Sequence, residues 1–184
     1  MKKVLYTLGL LGGTIMAAQA QTSAIKLNVT ALAFGVGNAS FESKLSDQSS
    51  FQVGAFYASY GSSGTKISGI GITPEYRFYV TGESMQGLFV GPFLRFQHYS
   101  VTNPDFDYST GAPITDEATL NTFGGGVNVG YQWIFGGHFS LEPFLRLGYN
   151  AGTPKVTKGN DNFNGLSYFS GTSVLPGLNL GYAF

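Results

Sequence analysis

Eight segments of this chain alternate apolar residues with small or polar ones at a period of two. Side chains along a strand point to opposite faces in turn, so each segment folded as a strand has one greasy face and one lean, hydrophilic face. The segments fall at about residues 24–34, 37–45, 51–60, 66–80, 86–99, 119–135, 138–149 and 173–184. None keeps a helical period. In the first, Ile25, Leu27, Val29 and Ala31 oppose Lys26, Asn28 and Thr30. In the last, Leu178, Leu180, Tyr182 and Phe184 alternate with Asn179, Gly181 and Ala183.

Composition says which side of such a sheet faces what. Charged residues are 11% of the chain, against about a quarter in soluble domains. Aromatics reach 15% and glycines number 27. A sheet with one face in lipid suits that balance. Hydrocarbon admits only helices and closed barrels, because both satisfy every backbone polar group internally. After the first 20 residues no stretch approaches the run of about 20 apolar residues that a spanning helix needs. The pattern therefore predicts an all-β fold, an eight-stranded antiparallel up-and-down transmembrane β-barrel occupying residues 21–184.

Residues 1–20 read as a secretory signal peptide. Lys2 and Lys3 form the basic region, Val4 to Ala17 the apolar one, and Ala18-Gln19-Ala20 the cleavage site. There is no cysteine, which excludes a lipoprotein anchor, a disulfide and a thiol nucleophile. Ten basic residues balance ten acidic ones, so nothing suggests nucleic acid as a partner. The connections at 45–50, 81–84 and 136–137 are tight turns, whereas 100–118 and 150–172 are long and polar. Short periplasmic turns with longer extracellular loops are expected of outer-membrane barrels. Gly35-Val36-Gly37 would make a short first outer loop.

An eight-stranded barrel has an interior just wide enough for side chains to fill. Glycines 69, 71, 91, 124, 126, 130, 148, 177 and 181 fall on the inward register, leaving room for a few long charged residues. Those are Lys26, Glu42, Lys44, Glu75, Arg77, Arg95, Glu142 and Arg146, expected to pair into a network that plugs the lumen. A Pro-x-Φ-Arg-Φ pattern recurs at Pro74, Pro92 and Pro143, with a weaker copy at Pro176. Proline removes a ladder donor, so bulges or local bends that curve the sheet are expected there.

Thr73-Pro74-Glu75-Tyr76-Arg77-Phe78, Gly91-Pro92-Phe93-Leu94-Arg95 and the run Gly124 to Phe135 resemble a family of small Gram-negative outer-membrane barrels classed as a domain of unknown function. The resemblance covers nearly all of the chain after the leader and implies an OmpA/OmpX-like architecture, an outer-membrane location and contact with outer-membrane lipid and lipopolysaccharide. It implies no cofactor, and the expected form is a monomer. The C-terminus is similar to the signal read by the barrel-assembly machinery, with Tyr182 and Phe184 at its aromatic positions and Gly181 nearby. These residues would dock by strand addition during insertion.

Two histidines are present. His138 follows the 136–137 turn and should face periplasmic solvent. His98 and Ser100 share the outward face of the fifth strand, and they resemble the His-x-Ser of outer-membrane lipid A deacylases, except that Val101 stands where that family has Asn. In that reading Ser100 is the nucleophile, His98 its base, and Asp105, Asp107, Asp116 or Glu117 the orienting acid. Oxygen-rich loop residues, Asn103, Asp105, Asp107, Asn160, Asp161, Asn162 and Asn164, form no recognised calcium motif, and no metal is expected. The reading of first choice is a non-enzymatic barrel with a side-chain-plugged lumen, serving the envelope or presenting its loops to a partner. A lipid A hydrolase and a narrow channel are the alternatives.

Overall fold

The computed structural model describes residues 22–62, 64–106, 113–159, 166 and 169–184. The expected signal peptide lies outside them, as do Asp107, Asn160, Asp161, Asn162 and Asn164. Strands β1 (Ser23–Asn28), β2 (Val36–Ser46), β3 (Ser49–Ser62), β4 (Thr65–Tyr79), β5 (Gly87–Phe106), β6 (Pro113–Phe135), β7 (Phe139–Ala151) and β9 (Gly171–Ala183) pair antiparallel in sequence order. β9 pairs back onto β1, with Leu180 opposite Leu27, and the ring closes. A short strand β8 (Lys155–Lys158) adds to the far end of β6. The class is thus a closed eight-stranded antiparallel barrel. No described helix is long and apolar enough to cross a membrane, which says nothing of a barrel that would cross with strands.

Alternation sets the register throughout. Ile25, Phe41, Ile72, Leu94, Phe123, Leu145 and Leu180 are exposed around the outside. Lys26, Glu42, Glu75, Arg77, Asn128, Gln132 and Glu142 are buried within. This inverts the usual rule for a soluble protein. Between β6 and β7 the turn needs positive φ at Gly136 (58°) and Gly137 (76°), which glycine adopts without a steric cost.

Three expectations need correction. The first strand was expected to run to residue 34, but β1 stops at Asn28 and a short helix α1 (Val29–Ala33) follows. Asn28 caps it, its side-chain oxygen accepting from Ala31 N at 2.8 Å. Asparagine competes for the backbone in this way, and that ends the ladder. Beyond Asn28, β2 over Val36–Asn38 pairs only with β3, and β9 over Gly171–Leu178 pairs only with β7. Helix α1 fills the seam between them, and Thr30 Oγ1 accepts from Leu178 N at 3.0 Å in place of the lost ladder bond.

Second, the long polar loop 100–118 is mostly hairpin, since β5 and β6 stay paired out to Phe106 opposite Pro113. Third, no bulge marks the prolines. Pairing runs past Pro74, Pro92, Pro143 and Pro176 without a register shift. Between β4 and β5 the pairs simply lapse from Ile72 to Glu75 and again from Glu75 to Phe78, where Pro74 and Pro92 have no N–H to give.

The end of the barrel that carries Ser23 and Phe184 is closed from within. Met85, in the β4–β5 turn, is buried against Ala24, Ala183 and Ile134. It holds φ at 70°, a conformation unusual for a residue other than glycine. Ser84 ties the turn down, its N donating to Asp47 O at 2.7 Å and its hydroxyl to Ser49 O at 2.8 Å.

Candidate functional site: the charged interior and the cavity above it

The inward register of β1, β2, β4 and β7 brings four long charged residues to one level above Met85. Arg77 makes a two-pronged contact with Glu142, Nη1 to Oε2 at 2.8 Å and Nη2 to Oε1 at 3.0 Å. Its Nε donates to Glu75 at 2.7 Å, and its Nη1 lies 3.5 Å from Glu42. Lys26 sits between Glu42 and Glu142 and also donates to Gln132 at 2.9 Å. These side chains are fully buried. Planar, forked Arg–carboxylate contacts suit such a site because several bonds form for one desolvation.

One level higher, Glu75 receives Asn128 at 2.9 Å and Arg146 Nη2 at 2.8 Å. Asn179 donates to Glu142 at 2.8 Å. Tyr79 places its hydroxyl 2.6 Å from Glu42 Oε1 and 2.9 Å from Gln132 Oε1, and Ser50 also reaches Glu42. Tyr79 and Ser50 escaped the charge-based reading: Tyr79 stood on the inward register of the fourth segment, whereas Ser50 was assigned to the 45–50 turn and belongs to β3.

Two expected members stand apart. Lys44 is not joined to the network. It lies by the β2–β3 turn, its side chain 32% exposed, paired with Asp47 at 3.0 Å. A rim position keeps it hydrated. Arg95 is buried, 5% exposed, but has no carboxylate or hydrogen-bond partner among the described residues. Its guanidinium lies 5.0 Å from the centre of the Phe93 ring, and that of Arg146 lies 5.1 Å from the same ring.

Above the network the barrel holds a cavity of about 490 Å³. Arg95 and Arg146 line it together with Phe56, Tyr99, Phe144 and Leu175. Beneath it a void of about 20 Å³ has room for about one water. Towards the far end, Tyr99, Val101, Ala118, Leu120 and Leu166 form a small apolar cluster, with Phe169 stacked on Tyr99 at 4.1 Å. Several inward glycines exist to admit the aromatic rings. A Cβ on Gly130 would lie 2.6 Å from Phe89, and one on Gly177 would overlap Phe144.

His98 and Ser100 fall on the outer face of β5, opposite Asn121 and Thr119 of β6. His98 Nδ1 is 2.8 Å from Asn121 Oδ1, and no hydrogen bond joins the imidazole to Ser100. Asp105 pairs with Ile114 much farther along the strand, about 23 Å from His98 at about 3.3 Å per residue. Asp116 is buried on the opposite, inward register, and Glu117 pairs with Thr102 and Lys158. Among the described residues no group of three His, Asp or Glu side chains could hold a metal.

At the termini, Phe184 exchanges backbone bonds with Ser23, N to O at 2.8 Å and O to N at 3.1 Å. Tyr182 faces outward, stacked on His138 at 5.2 Å and edge-on to Phe139 at 5.8 Å. His138 is exposed and its Nδ1 lies 3.1 Å from Ala183 O. Gly181 faces inward beside Lys26 and Ser140.

An apolar exterior around a packed, charged interior defines a small closed β-barrel of inverted polarity. Residues 5–164 match the family described as Protein of unknown function (DUF3575), and the chain belongs to that family. No curated protein matches the sequence. Among solved structures, the N-terminal β-barrel domain of Pseudomonas aeruginosa OprF is similar at 18% identity and a TM-score of 0.45, over 90% of this chain and 100% of that one. A major outer membrane protein from Thermus thermophilus is similar at 11% identity and a TM-score of 0.47, over 90% of this chain and 100% of that one.

Proposed function

We propose that this protein is a monomeric, non-enzymatic outer-membrane barrel whose lumen is closed by its own side chains, and that it serves the envelope structurally or through its far-end loops. One observation carries the reading. The long apolar side chains point outward, while Lys26, Glu42, Arg77 and Glu142 are sealed inside in mutual contact. In water that arrangement would expose the whole apolar belt and bury its charges for nothing. In a bilayer it is the stable one. Outer-membrane lipid and lipopolysaccharide are then the surroundings of the belt. Gly181, Tyr182 and Phe184 would form the segment that the assembly machinery receives.

Membrane fractionation combined with gel migration before and after boiling tests the location. Outer-membrane recovery with heat-dependent migration is expected, and a soluble periplasmic product would overturn the proposal. Planar bilayers test the plug. No stable single-channel steps are expected from the purified protein, and reproducible steps would favour the channel reading. The non-enzymatic part is supported by His98 having a carboxamide, not a carboxylate, as its partner. Expression is expected to leave the acylation of lipid A unchanged. Loss of an acyl chain that Ser100→Ala restores would instead establish the hydrolase.

A further inference from the structure

Below the cavity the inward charges do not balance, and the remaining buried carboxylate, Asp116, lies farther up β6, opposite Asn103. In the part of the lumen between Met85 and the cavity, Lys26, Arg77, Arg95 and Arg146 are inward cations, and Glu42, Glu75 and Glu142 are the inward carboxylates. Four against three leaves one positive charge over, and the hydrogen bonds show where it resides. Each of these three carboxylates is engaged by Lys26, Arg77 or Arg146, and Arg95 has none among the described residues. The Nε of Arg146 is likewise buried without an acceptor. A buried, unpaired guanidinium is costly and is normally met by a counter-charge.

Both arginines line the 490 Å³ cavity. That volume falls in the range of sites that take small organic molecules, and such sites combine apolar walls with a few fixed polar groups. The walls here are Phe56, Tyr99, Phe144, Phe169 and Leu175. On β6, Arg95 stands opposite Gly124 and Arg146 opposite Asn128, with Gly126 on the inward register between those two rungs. The cavity also reaches the seam where α1 replaces β1, since Thr30, Ala31 and the outward-register Pro176 line it. A long apolar group could leave the interior on that side.

We propose that this cavity binds a single-chain anionic amphiphile, its carboxylate or phosphate head received by Arg95 and Arg146 and its hydrocarbon tail lying along the aromatic wall. Guanidinium forks match both head groups. The head supplies the missing negative charge, and the tail covers apolar surface that the barrel leaves bare. The site lies above the Lys26–Arg77–Glu142 network and does not depend on whether the lumen conducts.

Native mass spectrometry of the full barrel in a non-ionic detergent, with dodecanoate, decyl phosphate, dodecanol and acetate as probes, tests this. A saturable one-to-one adduct is expected with dodecanoate, decyl phosphate or both, and none with dodecanol or acetate. Retention of only one of the two anions assigns the head-group chemistry. Arg95→Gln should lower occupancy at least ten-fold while heat-dependent migration stays as in the parent, because the change removes an uncompensated charge. Should Arg95→Gln fail to assemble, Arg146→Gln reads the same site from β7 and should show the same loss. Leu175→Asn should weaken the long-chain probe with the arginines intact. Equal retention of dodecanol, absence of a one-to-one anion adduct, or full occupancy in the arginine variant that assembles would overturn the proposal.

Discussion

Glu142 ties three elements of the interior together, receiving both prongs of Arg77, the ammonium of Lys26 and the amide of Asn179. Glu142→Gln keeps the shape and removes the charge, leaving Lys26 with Glu42 and Arg77 with Glu75 and the more distant Glu42. The expected cost is about 3–5 kcal/mol, the range for breaking a buried pair. Urea unfolding of the detergent-solubilised barrel would measure it, and a change below about 1 kcal/mol, the scale of an exposed pair, would refute the assigned role. Lys44 is the internal control. Its contact with exposed Asp47 lies at the rim, so Lys44→Gln should leave the same unfolding midpoint within error. Gly177 shows a different constraint. A methyl group there overlaps the Phe144 ring, so Gly177→Ala should cost about 1–3 kcal/mol by overpacking. Adding Phe144→Ala to that variant should cost less than the same change in the parent, and strict additivity of the two in a double-mutant cycle would show that they do not touch. The charged members of the network were legible as residues, because alternation placed them on one face. Their partners were not. Arg77 and Glu142 lie 65 positions apart on strands that are not neighbours, and only closure of the ring brings them together.

At the level of the element, the first segment is the instructive one. Its apolar alternation continues through Val29 and Ala31, yet the strand gives way at Asn28. Periodicity reports which face a side chain would take if the backbone stayed extended. It does not report that Asn28 satisfies the amide of Ala31 and so releases the chain from the ladder. Thr30 then serves the edge of β9 that β1 has abandoned. Thr30→Val should leave the Leu178 amide without its acceptor, costing about 1 kcal/mol. The sharper readout is hydrogen exchange. Leu178 should lose protection selectively, whereas unchanged exchange there would mean that the seam is closed by other means. The hairpin of β5 and β6 fails to show in the alternation for the opposite reason. Past Tyr99 the strand leaves the apolar belt and its residues turn polar, so the hydrophobic signal ends while the backbone pairing goes on to Phe106. The prolines were expected to bulge the sheet, and instead the ladder skips bonds with its register intact.

For the whole molecule, the decisive property is inverted polarity. Leu94 is half exposed midway along β5, flanked in the ring by β4 and β6. Leu94→Arg should therefore cost about 2–4 kcal/mol in a bilayer if it lies near the midplane, falling to about 0–1 at the interfaces. Folding into liposomes over a range of urea checks this, and a negligible cost would place β5 outside the hydrocarbon. The sequence alone determined that there are eight amphipathic strands and that their lean faces turn inward, because a period of two is a local property of the chain. Tertiary structure decided the rest. Only closure of the ring put Lys26, Arg77 and Glu142 into one buried cluster, left Arg95 without a counter-charge among the described residues, and opened a cavity beside a seam that follows Asn28. Those outcomes depend on which strands face one another across the lumen, and that distance is set by the stagger of the closed sheet, which no one strand encodes.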